Sequence, residues 1–196
     1  MGTEIELKFR STPEVHRQIE ARFGGFSPIS METTYYDTPN GSLSARRITL
    51  RKRLENGNAV CTLKTPGEGL SRGEWEVEEK EISLAVPMLC QLSGISDLLL
   101  WTAEGLEAVC GARFMRREVI LTLPDCVVQL ALDEGVLLGG GKELPLCELE
   151  VELRQGSQDA AFAFARDLAE DYALLPQPDS KFYRAQSLAT GDTYGV

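Results

Sequence analysis

The sequence predicts an α+β protein: a closed eight-stranded antiparallel β-barrel with a charged interior and helices packed outside. Three observations lead there. The first is the strict alternation in Glu4-Ile5-Glu6-Leu7-Lys8-Phe9, answered near the other end by Cys147-Glu148-Leu149-Glu150-Val151-Glu152-Leu153. Period two is the signature of a strand with one charged and one apolar face. The second is Thr49-Leu50-Arg51-Lys52-Arg53-Leu54, which puts Arg51 and Arg53 on one face of a strand of similar length. The third is that roughly eight strands are readable, mostly joined as hairpins. Strands carrying charges of both signs close most economically with the charges inside and the apolar faces under helices.

The elements follow in order. After the first strand, Ser11 can cap a helix that has Pro13 in its first turn and Glu14 completing a capping box. Val15, Ile19 and Phe23 form its apolar stripe, and Gly24-Gly25 ends it. His16, the only histidine, reads as a surface residue of that helix. A strand rich in Thr and Tyr spans 29–37 and closes at Thr38-Pro39-Asn40-Gly41. The arginine strand spans 48–55. Asn56-Gly57 is a strong hairpin signal, and the return strand at 59–65 carries Lys64. Residues 72–80 read as a strand with Glu74, Glu76 and Glu78 on one face.

Residues 83–110 have helical spacing, broken at Pro87, Gly94 and Gly105, which predicts two or three short helices. Strands follow at 114–123, 127–133 and 144–154. Gly139-Gly140-Gly141 joins the last two; no helix follows it, so it is not a phosphate loop. A helix spans 158–172. Ser180-Lys181-Phe182-Tyr183 reads as a short polar-aromatic terminal segment.

Composition bounds the function. The 196 residues suffice for one domain with one sizeable core, spanning 1–196. The net charge of −10 argues against a large nucleic-acid surface, and a bound polyanion needs a local basic pocket. Such clusters exist at Arg46, Arg47, Arg51, Lys52 and Arg53, and at Arg113, Arg116 and Arg117. Five scattered cysteines with no C-x-x-C predict reduced thiols and a cytoplasmic setting. Met1 leads directly into a charged strand, so no signal peptide is expected, and no apolar run is long enough to span a membrane. If the acidic strands meet, four or five carboxylates converge, and a divalent cation is the natural way to hold them. On that argument, neutralising Glu150 would relieve like-charge repulsion and stabilise the metal-free chain.

Glu4-Ile5-Glu6-Leu7-Lys8 resembles the E-x-E-x-K signature of the CYTH family, the triphosphate tunnel metalloenzymes. Further matches follow in order: Tyr35-Tyr36-Asp37-Thr38-Pro39, Arg51 and Arg53, Lys64 before Thr65-Pro66-Gly67, the basic strand at Arg116, Asp133, Glu148 and Glu150, and Lys181. The likeness is to the bacterial inorganic triphosphatases, without the C-terminal CHAD domain that some of them carry. The resemblance implies a barrel that binds triphosphate lengthwise and hydrolyses it to pyrophosphate and phosphate with Mg²⁺ or Mn²⁺. It implies that Glu4, Glu6 and Glu150 hold one metal, and that Asp133 and Glu148 hold a second metal or the attacking water. Asp133, Glu148 and Lys8 would carry catalysis. Lys8, Arg51, Arg53, Lys64, Lys181 and one of Arg116 and Arg117 would bind phosphates; a one-residue slip reverses which arginine faces inward. Glu74, Glu76 and Glu152 could face the tunnel or its rim. The resemblance also admits a homodimer. Competing readings are a thiamine triphosphatase, a nucleoside triphosphatase, a class IV adenylate cyclase and a non-catalytic polyphosphate-binding module. A thiamine clamp would need aromatics, for which Trp75 and Trp101 are the candidates.

Overall fold

The structure is a computed structural model that describes residues 2–67 and 71–191. β1 (Gly2–Arg10) runs into α1 (Pro13–Phe23), and β2 (Ser27–Asp37) leads to the hairpin of β3 (Thr49–Glu55) and β4 (Asn58–Pro66). β5 (Ser71–Val77) is followed by α2 (Ile82–Ser93) and α3 (Leu98–Trp101). Three long strands come next: β6 (Glu107–Thr122), β7 (Cys126–Gly139) and β8 (Lys142–Gly156). α4 (Gln158–Asp171), β9 (Leu175–Pro176) and α5 (Lys181–Thr190) complete the described chain.

The strands form one antiparallel sheet in the order β5-β4-β3-β2-β6-β7-β8-β1-β9, and the first half of β1 also pairs with β5, with Gly2 opposite Glu74 and Ile5 opposite Ser71. The expected closed eight-stranded barrel is corrected to a large nine-stranded sheet. The added strand, β9, is too short to show a period in sequence. It ends the order by pairing with Phe9 and Arg10, and so shares one edge of β1 with β5.

Local chemistry explains most elements. Asn56 (φ 50) and Gly57 (φ 87) both take the left-handed region that a two-residue hairpin turn demands, and Glu55 lies opposite Asn58. Thr12, not Ser11, caps α1: its hydroxyl accepts from the Val15 backbone N–H. Pro87 lies inside α2 instead of ending it, because Ala85, Val86 and Leu89 bury that turn against β4 and β5. The helical reading of 83–110 ran too far, since β6 already starts at Glu107. Asp37 organises the turn after β2. Its carboxylate accepts from the backbone N–H groups of Thr38, Leu43 and Ser44 at 2.7, 2.9 and 3.0 Å.

The apolar faces lie under helices as expected. One cluster joins Phe9, Leu130, Leu149 and Val151 to Ile19 of α1 and to Ala165 and Leu168 of α4. Another joins Leu50, Leu63 and Val77 to Ala85 and Leu89 of α2 and Leu98 of α3. α5 breaks the pattern. It is a ten-residue helix where the sequence suggested a short segment, capped by Ser180, and its Ala185 clusters with Ala112, Leu137 and Leu146. Those three residues share strand faces with Arg116, Asp133 and Glu148, so α5 lies on the charged face, not outside. The glycine run makes this possible. A Cβ on Gly139 would fall 2.2 Å from the Ala185 carbonyl oxygen and 2.9 Å from the Ala189 nitrogen.

Candidate active site

A cavity of about 290 Å³ lies against the charged face. Register fills it. Lys8 sits opposite Glu150 and Glu6 opposite Glu152 across β1 and β8, while Lys64 sits opposite Glu74 across β4 and β5. Side chains two apart on each strand then point inward together. Among the described residues, Lys8, Arg51, Arg53, Lys64, Arg72, Arg116, Arg154 and Lys181 line the cavity with Glu6, Glu55, Glu74, Glu76, Glu118, Glu150 and Glu152. Eight cations against seven anions leave the cavity close to neutral, so the protein alone does not balance an added polyanion.

The cations are held, not loose. Arg51 pairs with Glu74 at 3.5 Å, Lys64 with Glu74 at 3.3 Å, and Arg53 with Glu76 at 3.7 Å and with Glu55. Lys8 lies 3.4 Å from Glu6. Burial, reinforced by neighbouring cations, lowers the pKa of Arg53, and burial lowers that of Lys8 against the pull of Glu6 and Glu150.

Beside the cavity three buried carboxylates converge, of which Glu150 lines it. Asp133 of β7 and Glu148 and Glu150 of β8 bring ligand oxygens within 4.8 Å of one another. Asp133 and Glu148 are direct register partners. Lys181, at the N-terminus of α5, reaches all three: its Nζ is 2.8 Å from Asp133, 2.6 Å from Glu148 and 2.6 Å from Glu150. Arg116 makes a two-pronged bond to Asp133, with Nε and Nη2 each at 2.7 Å, and donates to Glu150 at 2.5 Å. Arg184 pairs with Glu148 from the next turn of α5.

Burial by itself raises the Glu150 pKa, but Lys181, Arg116 and Lys8 outweigh it and hold the carboxyl well below its ordinary range. Burial likewise acts to lower Lys181 and Arg116, and the surrounding carboxylates raise both above their ordinary values. The like-charge argument for neutralising Glu150 therefore does not survive. The cluster carries its own cations.

The structure decides the arginine pair. Arg116 lies inside the cavity. Arg117 lies on the opposite face, 2.9 Å from Glu20 of α1, 3.4 Å from Glu134 and 3.4 Å from the His16 ring. Arg117 is thus corrected from phosphate binder to helix-packing residue. His16 is corrected as well: it is fully buried between Arg117 and Cys147, not at the surface. Burial, aided by Arg117, pushes its pKa down to about 4.

Among the described residues the carboxylates that come together are Asp133, Glu148 and Glu150, two of which the resemblance assigns to a second metal or the attacking water. Glu150 joins Asp133 and Glu148, Glu6 lines the cavity beside Lys8, and the side chain of Glu4 lies outside the described residues. Three buried carboxylates are hard oxygen donors of the kind that hold a divalent cation, at the place Lys181 Nζ occupies here. Glu74, Glu76 and Glu152 face the cavity. Trp75 and Trp101 do not; both pack in the cluster under α2 and α3. Sequence reading passed over Arg72, Arg154 and Arg184. The first two share strand faces with Glu74 and Glu152, and that parity was the available signal. Nothing in the sequence marked Arg184.

The CYTH domain model matches residues 2–185. The inorganic triphosphatase of Haemophilus influenzae is 29% identical over 201 residues, covering 97% of this chain and 56% of that protein. The chain thus spans about half the length of that relative. The thiamine-triphosphatase of Homo sapiens is 27% identical over 186 residues, covering 94% of this chain and 76% of that protein. Among solved structures, HpAC1 from Hippeastrum, described as having a dominant triphosphatase activity, superposes with a TM-score of 0.64 at 18% identity, covering 96% of this chain and 97% of that one. The PH1819 protein of Pyrococcus horikoshii OT3 superposes with a TM-score of 0.63 at 23% identity, covering 94% and 98%. At such identities the likeness is one of fold. The match of the domain model across nearly all of the chain, with a cavity built from the same ordered motifs, makes this chain a member of the CYTH family.

Proposed function

We propose that this chain hydrolyses inorganic triphosphate to pyrophosphate and phosphate, with Mg²⁺ or Mn²⁺, in the cavity against the charged face of its sheet. The observation that carries the reading is a cavity whose wall holds Arg51, Arg53, Lys64, Arg116 and Lys181, with Glu150 on that wall and Asp133 and Glu148 buried beside it around Lys181. Guanidinium forks suit phosphate oxygens, and lysine adds point charge. Asp133, Glu148 and Glu150 would hold the metal, with Glu4 and Glu6 contributing from β1. When bound, the metal supplies positive charge for the phosphate oxygens and lowers the pKa of water.

The chain's own residues do the positioning that phosphoryl transfer chiefly needs. Arg51, Arg53 and Lys64 exchange the carboxylates of Glu74 and Glu76 for the entering phosphates. Arg116 and Lys8 neutralise oxygens beside the reacting phosphorus. Glu148 or Asp133 accepts the proton of the attacking water at a carboxylate oxygen. The new P–O bond forms to that water as the anhydride P–O bond breaks, and pyrophosphate leaves with its charge held by the arginines.

The placement of Trp75 and Trp101 outside the cavity favours an inorganic substrate over thiamine triphosphate. Five free cysteines favour a cytoplasmic setting, and among the described residues no helix is long and apolar enough to cross a membrane. The test is phosphate release from tripolyphosphate, ATP and thiamine triphosphate side by side, in Mg²⁺, Mn²⁺ or EDTA. Metal-dependent release greatest from tripolyphosphate is expected. A preference for either organic triphosphate overturns the substrate, and release undiminished in EDTA overturns the metal.

A further inference from the structure

The cavity does not stop at Lys64. A second space of about 460 Å³ shares Lys64, Arg72 and Phe182 with it and adds Arg47, Asp179 and Tyr183. We infer that this vestibule is a subsite for the phosphates beyond the third of a linear polyphosphate, with Arg47 and Arg72 as its cations.

Three observations carry the inference, which rests on the reading of the first cavity as a triphosphate site. The first is continuity. Lys64 and Arg72 face both spaces, so a phosphate chain held at Lys64 runs on into the second with a cation at the junction.

The second is charge. Among the described residues that line this space the charged ones are Arg47, Lys64, Arg72 and Asp179, with Lys64 also paired to Glu74, in a chain whose net charge is −10. A local basic surface on an acidic protein selects anions. The aromatics do not make a ring clamp. Phe182 is packed against Tyr35 at 5.2 Å between centroids, and Tyr183 is exposed, which leaves one ring where a sandwich needs two.

The third is the backbone of Arg47. It takes φ 58, a left-handed conformation uncommon for a side chain of this size. Its N–H donates to the Ser44 carbonyl at 2.9 Å, and Ser44 is tied in turn to the buried Asp37 carboxylate. Backbone strain held by such a framework concentrates where a side chain has work to do.

The experiment is calorimetric titration of tripolyphosphate and tetrapolyphosphate in EDTA, so that no turnover intervenes. The unaltered protein should bind tetrapolyphosphate about tenfold more tightly, the scale of one added charge-assisted contact. Arg47→Asn keeps a residue that tolerates the left-handed backbone and removes the charge. It should abolish most of that advantage and leave tripolyphosphate binding unchanged, and Arg47→Lys should restore it. Equal affinity for the two chains in the unaltered protein overturns the vestibule, as does an Arg47→Asn variant that weakens both alike. Tighter binding of ATP or thiamine triphosphate than of tetrapolyphosphate overturns it too, in favour of an organic occupant. Failure of tripolyphosphate itself to bind, with or without Mg²⁺, removes the triphosphate reading and the vestibule with it.

Discussion

Lys181 Nζ lies 2.6 Å from Glu150 Oε1 at the centre of the carboxylate cluster. The two residues belong to different elements, α5 and β8, and the same ammonium also pairs with Asp133 and Glu148. Lys181 is the resident counter-cation of the group that would hold a metal.

Removing it should therefore expose the cluster's repulsion. Lys181→Met is expected to destabilise the metal-free protein by about 3 kcal/mol, the scale for breaking a buried pair from one side. Thermal melts with and without Mg²⁺ check this. The metal should raise the melting temperature of the variant more than that of the unaltered protein.

Glu150→Gln should also lower the melting temperature of the metal-free protein, because Lys181, Arg116 and Lys8 then share one carboxylate fewer. The sign with pH follows from its depressed pKa. The stability Glu150 contributes is present above its unfolded value and is lost as pH falls through the folded one. Acid melts of the variant should thus be flatter than those of the unaltered protein. A rise in melting temperature at pH 7 would contradict the pairing.

His16 gives a second pH dependence. Its folded pKa, pushed down to about 4, lies below the unfolded value near 6.5. Its contribution is complete above pH 6.5 and drains away as pH falls towards 4, by about 3 kcal/mol at most. Denaturant titrations at pH 7 and pH 4.5 should show a smaller loss for His16→Gln than for the unaltered protein.

Arg51→Ala should weaken tripolyphosphate binding by about tenfold or more, since it removes a guanidinium from the phosphate wall. Divalent metal binding should be unaffected. Calorimetry with each ligand separates the two effects.

Gly139→Ala should cost about 1–3 kcal/mol by overpacking, because its Cβ has no room beside Ala185. The displaced helix carries Lys181, so tripolyphosphate turnover should fall with stability. Full turnover in a destabilised variant would separate α5 from the site.

Local rules made much of this protein legible. Alternation in residues 4–9 and 147–153, the Asn56-Gly57 turn and the arginine strand are properties of neighbouring residues, and each predicted its element and its inward face. The ordered charges also named most of the charged residues that line the cavity. Other features depended on partners distant in the chain. Whether Arg116 or Arg117 faces inward hangs on register, and Asp133 opposite Arg116 settles it. His16 is buried because Arg117 and Cys147 close over it, although its helix alone leaves it looking exposed. α5 sits on the charged face because Gly139 lets it approach and Lys181 finds three carboxylates there. The sequence by itself determined which faces of which strands are charged, since that is a matter of period. Only the tertiary structure decided which charges meet, because pairing energy depends on distances that the folded sheet sets.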